Sequence, residues 1–168
     1  MKYLKLFEAK AYPLFNLLEN DDLPSIIELL KKGVDVNQKD IQGNTPLHYA
    51  CYLRFYSTTE IKINEKIIKF LIESGADINA KNDFGETPLM HCELTHKVKI
   101  LLKLGADFFI RDNNGKDYLD RKQDKFFKYS YTTENVENWM EYLGWYDKYF
   151  PKLLKERELR KEAEKYNL

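Results

Sequence analysis

The sequence has few of the features that mark extracellular, membrane or nucleic-acid-binding proteins. Only two of its 168 residues are cysteines, so no disulfide framework is expected and a reducing compartment, the cytoplasm, is favoured. Lysine plus arginine and aspartate plus glutamate both number 27, which gives a formal net charge of zero. Since phosphate binding needs a basic surface, nucleic acid is not expected as a partner.

Long apolar runs are also missing. The longest stretch without a charged residue is Ile41 to Leu53, which is too short to span a membrane, so no membrane insertion is expected. An acid, Glu8, interrupts the start of the chain before any adequate apolar run, and a secretory signal is therefore not expected. Aromatic residues make up 14% of the chain, enough to build a core, so wholesale disorder is not expected either.

The few glycines are placed at regular intervals. Six of the seven fall into two sets, and within each set the members are 42 and then 30 residues apart. The first set is Gly33, Gly75 and Gly105, and the second is Gly43, Gly85 and Gly115. Because both sets move together, the chain contains a repeated unit with one insertion and one deletion.

Each unit predicts a pair of helices. Thr45-Pro46 and Thr87-Pro88 read as a helix N-cap followed by proline at the first helical position. A second helix carries an apolar stripe at residues 67–72 and ends at Gly75, where glycine adopts a left-handed conformation at little cost. One such pair cannot cover both its apolar faces, so stacked units forming a solenoid are predicted.

The two sequence blocks together resemble the ankyrin repeat, with its T-P-L-H start at residues 45–48 and a G-x-D end after each second helix. The resemblance implies an all-α ankyrin-repeat solenoid of helix-turn-helix units with β-turn finger loops. It predicts an N-terminal segment at 1–12, three units and a degenerate fourth at 13–120, an aromatic-rich helical C-terminal cap at 121–150, and a charged C-terminal helix or tail at 151–168.

Two regions depart from the family pattern. The second unit spans 42 residues against about 33 in the family, and the excess is predicted to be a loop around Arg54–Ile63. Its Phe55 and Tyr56 are secondary partner-binding candidates, and a tolerated surface loop is the alternative. The aromatic residues after 120, with a helix expected at 133–143, either seal the end of the solenoid or form a contact patch. The helix after Pro151 is expected to be solvated, with partner binding as the alternative.

No catalytic or metal centre is expected. The resemblance gives His48 a structural role, as a ring that bonds the backbone of the neighbouring repeat. Zinc could in principle bind the cysteines Cys51 and Cys92 together with nearby histidines, but the spacing fits no standard finger. Both cysteines read as small core residues, where thiols are inert. We therefore expect no cofactor, no metal and no enzymatic activity.

The expected function is non-catalytic recognition of a partner protein by a chain that is monomeric alone. The resemblance implies that the finger loops and the concave face of the first helices bind the partner. Matching positions in this sequence are Ile41, Gln42, Asn44, Tyr52, Leu53, Asp83, Phe84, Glu86, Leu94, Thr95, Asn113, Asn114 and Lys116. The alternatives are a dedicated inhibitor or immunity-type protein that neutralises one enzyme or toxin and, third, a cryptic enzyme or metal-binding protein.

Overall fold

A computed structural model describes residues 13–20, 22–52, 58–93, 95–122 and 151–166, without the side chains of 58–61, 95 and 151–154. Within these ranges the chain is helical and contains no strand. The helices are α1 (Pro13–Glu19), α2 (Leu23–Lys31), α3 (Pro46–Tyr52), α4 (Thr58–Glu73), α5 (Pro88–His91), α6 (Thr95–Lys103), α7 (described over 118–122) and α8 (Pro151–Lys165). The predicted all-α fold is confirmed.

The first helix pair shows why these segments fold as predicted. Leu14 and Leu18 are four residues apart on α1, and both are fully buried. Helix α2 begins after Asp22, whose carboxylate accepts a hydrogen bond from the Ser25 backbone N–H at 3.1 Å. Pro24 lies in the first turn of α2, as the sequence indicates, because no hydrogen-bonding N–H is needed there.

The later pairs stack on the first through their apolar faces. Helix α3 packs against α1, α4 and α5, and α2 packs against α4. The interfaces bury Leu47 on α3, Ile67 and Leu71 on α4, and Leu89 on α5. Full burial of each such side chain stabilises the fold by roughly 1.5–3 kcal/mol, so this stack of short helices is held mainly by its shared core.

One prediction about a helix start is wrong. The excess residues of the second unit are not all loop, because α4 begins at Thr58 and takes in residues 58–63. Residues 53–57, with Phe55 and Tyr56, lie outside the described ranges. The predicted start of α5 is confirmed, because Thr87 is its N-cap residue and Pro88 lies in its first turn, although the Thr87 hydroxyl makes no capping hydrogen bond.

The chain divides into two compact units by its internal contacts. The first comprises Met1–Asp107 and Arg111–Gly115, and the second comprises Phe108–Ile110 and Lys116–Leu168. Among the described residues, α1 to α6 and the three finger loops belong to the first unit, and α7 and α8 belong to the second. The aromatic cap predicted at 121–150 and its helix at 133–143 lie outside the described ranges, apart from residues 121 and 122.

Candidate functional site

The finger loops of successive repeats are joined by backbone hydrogen bonds. Each loop is closed internally, by Asp40 N–H donating to the Asn44 carbonyl and by Asn82 N–H donating to the Glu86 carbonyl, both at 3.0 Å. Between loops, Asp83 N–H donates to the Gln42 carbonyl at 3.0 Å. One repeat further, Asn113 N–H donates to the Phe84 carbonyl at 3.0 Å. The loop tips at residues 40–44, 82–86 and 112–115 are therefore joined in one row, which we call the finger ridge.

Side chains inside the loops complete this ridge. The side-chain oxygen Oδ1 of Asn82 accepts the backbone N–H groups of Phe84 and Glu86 at 3.0 and 2.9 Å. The side-chain nitrogen Nδ2 of Asn82 donates to the Asn44 side-chain oxygen at 2.9 Å. Asn44, which the resemblance assigns to the partner-binding set, is not open to solvent, and its contact with a partner stays a prediction. Its side chain is buried and also donates to the Asp40 carboxylate, so it holds two loops together.

Three large apolar side chains on this face are open to solvent. Ile41 is 75% exposed and Phe84 is 55% exposed, both on the finger ridge, and Tyr52 at the end of α3 is 62% exposed. The core of the repeats does not use them. The exposed polar residues of the ridge are Gln42, Asp83, Asn113 and Asn114. Of the predicted site residues, these seven are presented to solvent.

His48 connects the second and third repeats. Its Nδ1 accepts the Thr45 backbone N–H at 3.1 Å, so the proton lies on Nε2, which donates to the Glu86 carbonyl at 3.0 Å. Burial lowers the pKa of His48 to about 4, although the hydrogen bond to Glu86 opposes that shift. The ring is therefore neutral near pH 7, and its structural role is that implied by the resemblance.

Sequence reasoning missed His91 as part of this face. Its Nε2 lies 2.9 Å from a Glu86 carboxylate oxygen, and both side chains are largely but not fully buried. Tyr52 contacts the His91 ring edge-to-face, with the centroids 6.4 Å apart. Glu86 is thus tied to the loop and to α5, with only part of its carboxylate accessible. The alignment of the repeats could have indicated this role, because His91 occupies the position of Tyr49 in the preceding repeat. The Tyr49 hydroxyl bonds the Asp40 carboxylate of its own loop at 3.1 Å.

The structure does not place every predicted residue on this face. Leu53 and Leu94 lie outside the described ranges, and Thr95 is the first residue of α6 rather than part of a first helix. Lys116 is half-buried, belongs to the second unit and already has an interaction partner. Their part in a binding surface stays a prediction.

A buried lysine is the second feature that the sequence did not reveal. Lys97 on α6 is fully buried, and its ammonium group donates to the carbonyls of Ala50 and Cys51 at 2.8 and 3.2 Å. These carbonyls lie in the last turn of α3, where a cation is favourable. Lys97 therefore caps the C-terminal end of α3 in the preceding repeat.

The cysteines do not form a reactive site. Both thiols are buried, and Cys92 donates weakly to the Pro88 carbonyl at 3.7 Å. Burial is the main cause that raises the pKa of Cys51 well above its usual value, and the neighbouring Cys92 thiol acts in the same direction. The nucleophilic thiolate is therefore suppressed. Within the described ranges no three His, Cys, Asp or Glu side chains are grouped to hold a metal ion. The same residues include no helix with the length and apolar character that crossing a membrane requires.

Comparison with known proteins agrees with this architecture. A family profile described as ankyrin repeats in three copies matches residues 2–82, and one described as ankyrin repeats in many copies matches residues 62–104. Together they cover more than half of the chain. Ankyrin repeats are in general non-enzymatic protein–protein interaction modules.

Two curated proteins are similar over part of their length. A Plasmodium falciparum protein named as an E3 ubiquitin-protein ligase is 51% identical over 106 residues, which is 63% of this chain and 1% of that protein. A fowlpox virus protein named as an ankyrin repeat protein is 40% identical over 50 residues, which is 30% of this chain and 6% of that protein. The chain thus spans only a small part of either relative. The repeated helix pairs, the ridge of finger loops and the matching profiles show that the chain belongs to the ankyrin repeat family.

Proposed function

We propose that this chain binds a partner protein, without catalysis, through its finger ridge and the end of α3. The observation that carries the proposal is the exposure of Ile41, Tyr52 and Phe84, three large apolar side chains that the repeat core does not need. Clustered apolar residues rimmed by polar ones are typical of protein interfaces. Here the rim consists of Gln42 and Asp83 on the ridge.

The backbone of this surface is ordered before a partner arrives. Bonds from Asp83 to Gln42 and from Asn113 to Phe84 fix the loop tips, and His48 ties α3 to the next loop. Little backbone entropy is therefore lost on binding, which leaves more of the contact energy for affinity. In this proposal, the apolar side chains supply contact area, while Asp83 and the accessible part of Glu86 set register and charge matching.

The proposal is tested with a double variant, Ile41→Ala/Phe84→Ala, used beside the wild type in affinity capture from a lysate of the source cell. We expect the captured partner to be lost, because truncating two central apolar contacts costs about 1–2 kcal/mol each and weakens binding by roughly tenfold or more. The free energy of unfolding should change by less than about 0.5 kcal/mol, because neither side chain is in the core.

Leu104→Ala is the matched control, because Leu104 is also a part-exposed apolar residue but directly follows α6 and belongs to none of the finger loops. This variant should retain the partner. A partner retained by the double variant would contradict the proposal and shift attention to residues 54–63 or to the aromatic residues after 120. The recovered complex also separates two kinds of function. One stoichiometric partner supports a dedicated inhibitor, and many weak partners support a general adaptor.

A further inference from the structure

The C-terminal helix α8 is attached to α7 by an arginine fork. The Arg157 guanidinium donates to both carboxylate oxygens of Asp117, at 2.7 and 3.0 Å, and to Asp120 at 2.6 Å. Such paired hydrogen bonds combine charge with a fixed geometry. Asp117 is nearly fully buried and Arg157 is largely buried, so this pair is screened less than a surface ion pair.

Two further basic residues of α8 strengthen the same attachment. Lys161 lies 3.0 Å from the Asp120 carboxylate, and the Arg160 guanidinium carbon lies 4.2 Å from the centre of the Phe109 ring, a cation–π contact. Residues 157, 160 and 161 have the spacing i, i+3 and i+4, which places them on one side of a helix. This part of the helix therefore presents a basic stripe to two carboxylates and one aromatic ring.

Apolar burial contributes little along the described side chains of α8 and the turn after it, residues 155–166. Leu159 is 56% exposed and Tyr166 is 66% exposed, and Ala163 is only half-buried. The repeat helices, by contrast, are held by fully buried leucine and isoleucine. Charge thus dominates the described contacts of α8, and ionic contacts respond to salt and to competing charged groups.

The acceptor at the centre of this contact is specific to the last repeat. Asp117 occupies the place of Thr45 and Thr87 in the earlier repeats. Its carboxylate caps α7 by accepting the Asp120 backbone N–H at 3.0 Å. It adds a negative charge that neither threonine has. The substitution thus converts a helix start into an anionic receptor.

We propose that Asp117, Asp120 and Phe109 form a receptor for a basic helix, that α8 is its resident occupant, and that a partner helix with Arg, Arg and Lys at i, i+3 and i+4 displaces α8. Charge complementarity identifies this occupant, since the receptor offers two carboxylates and an aromatic face. Displacement exchanges one set of ionic contacts for an equivalent set. It also returns α8 to water with most of its described apolar side chains already exposed.

The first experiment measures amide hydrogen exchange along residues 151–165 in the full chain. Arg157→Ala should raise exchange there by roughly tenfold or more, because removing the guanidinium leaves the largely buried Asp117 carboxylate unpaired and loosens the helix. Raising sodium chloride from about 50 to about 500 mM should act in the same direction on the wild type. Lys155→Ala is the matched control on the same helix, because Lys155 is exposed. Unchanged exchange in Arg157→Ala would overturn the proposal.

The second experiment uses a fluorescent peptide of residues 151–168 as the probe, added to full-length chains. It should bind Arg157→Ala, whose own helix is loosened, and bind the wild type at least roughly tenfold more weakly, because the tethered helix competes. Asp117→Asn/Asp120→Asn should not bind it, and asparagine at 117 keeps the helix cap. An Arg157→Ala peptide should also fail to bind.

Equal binding of the peptide to wild type and to the Asp→Asn variant, or no binding to any chain, would overturn the receptor. Light scattering then measures the oligomeric state of the Arg157→Ala protein. A dimer dissociated by the unlabelled peptide would show that the occupant is α8 of a second copy, which overturns the assignment to a partner helix. A monomer that binds the peptide supports the proposal as stated.

Discussion

At the scale of single residues, the protein depends on polar side chains placed where their charge state is fixed. His48 is the clearest case, because both ring nitrogens are used and only the neutral ring satisfies both bonds. Protonation would put a second N–H on Nδ1, facing the Thr45 N–H, and break that contact. The histidine that joins two repeats therefore makes their association sensitive to acid.

We predict that His48 gives the stability a pH dependence of known sign. The pKa of His48 is lowered to about 4 in the folded chain and is about 6.5 in the unfolded chain. The unfolded chain therefore binds the proton first. Stability is full above pH 6.5 and falls as the pH drops from 6.5 towards 4, by up to about 3 kcal/mol.

The measurement is urea unfolding of wild type and His48→Gln between pH 7.5 and 4.5. Titrating carboxylates contribute to both proteins, so the difference between the two slopes isolates the histidine. The variant should be less stable at pH 7.5 and should lose less stability on acidification. Parallel pH profiles for the two proteins would contradict the assignment.

At the scale of elements, the finger ridge constrains glycine through both backbone angle and space. Gly43 has φ +75° and Gly115 has φ +73°, so a side chain is strained at either position. Of these two glycines, Gly43 is the one where an added Cβ would meet the next loop, at 2.8 Å from the Asp83 backbone nitrogen and against the Asp83 carboxylate. Two glycines with the same backbone angle thus differ in how closely a neighbouring loop approaches.

We predict unequal costs for the same substitution at these two glycines. Gly115→Ala should lower the free energy of unfolding by about 1 kcal/mol, the cost of the backbone angle alone. Gly43→Ala should cost roughly 3 kcal/mol, because the loop-to-loop contact must also shift. Chemical unfolding of both variants checks this. Equal losses would mean that the ridge yields freely, and the argument for a preformed binding surface would fail.

Much of this element-level structure can be predicted from the chain, because it depends on local signals. The starts of α3 and α5 at proline and the left-handed Gly75 follow from residue type and spacing. The start of α4 was missed although the sequence has a local signal for it, since Ser57 and Glu60 have the spacing of a capping box at the helix start. The excess length of the unit favoured a loop there. The surface can likewise be predicted only in part. Exposure of Ile41 and Phe84 follows from their place outside the apolar stripe.

Burial of Asn44 and the pairing of Glu86 with His91 arise only when two repeats stack. The contact between Asp117 and Arg157 is likewise beyond local prediction, because 40 residues separate the partners. No short-range pattern signals that a charged C-terminal helix folds back onto α7. The expectation of a solvated helix after Pro151 was therefore wrong on one face only, the face that carries Arg157.

At the scale of the whole molecule, neighbouring repeats are held by polar bonds as well as by the core. Lys97 makes two of these bonds, since it reaches from α6 of one repeat to the last turn of α3 in the repeat before it. A lysine on a helix normally indicates a solvated position. The packing of the repeats shows that Lys97 caps the C-terminal end of α3. Its contribution to stability therefore depends on the neighbouring repeat and not on α6 alone.

We predict that Lys97 couples the stability of two repeats. Lys97→Ala should lower the free energy of unfolding by roughly 3 kcal/mol, because a cavity forms and two carbonyls lose a donor. Lys97→Met should cost about 1 kcal/mol, since it fills the space but not the hydrogen bonds. Lys103→Ala, at an exposed site of the same helix, should cost almost nothing.

The coupling itself is measured by hydrogen exchange in Lys97→Ala. Amides of α3 and α6 should lose protection together, although the substitution lies on α6 alone. Loss confined to α6 would show that Lys97 stabilises only its own repeat.

The aspartate at 117 also has a consequence for the length of the array. In a solenoid, each new copy must begin with a helix start that the following copy can cover, and the two earlier repeats use threonine there. With aspartate, the same position is claimed by Arg157 from further along the chain. The last repeat therefore carries its own stop signal. We therefore predict that grafting another unit after it requires threonine at 117, whereas units duplicated internally need no such change.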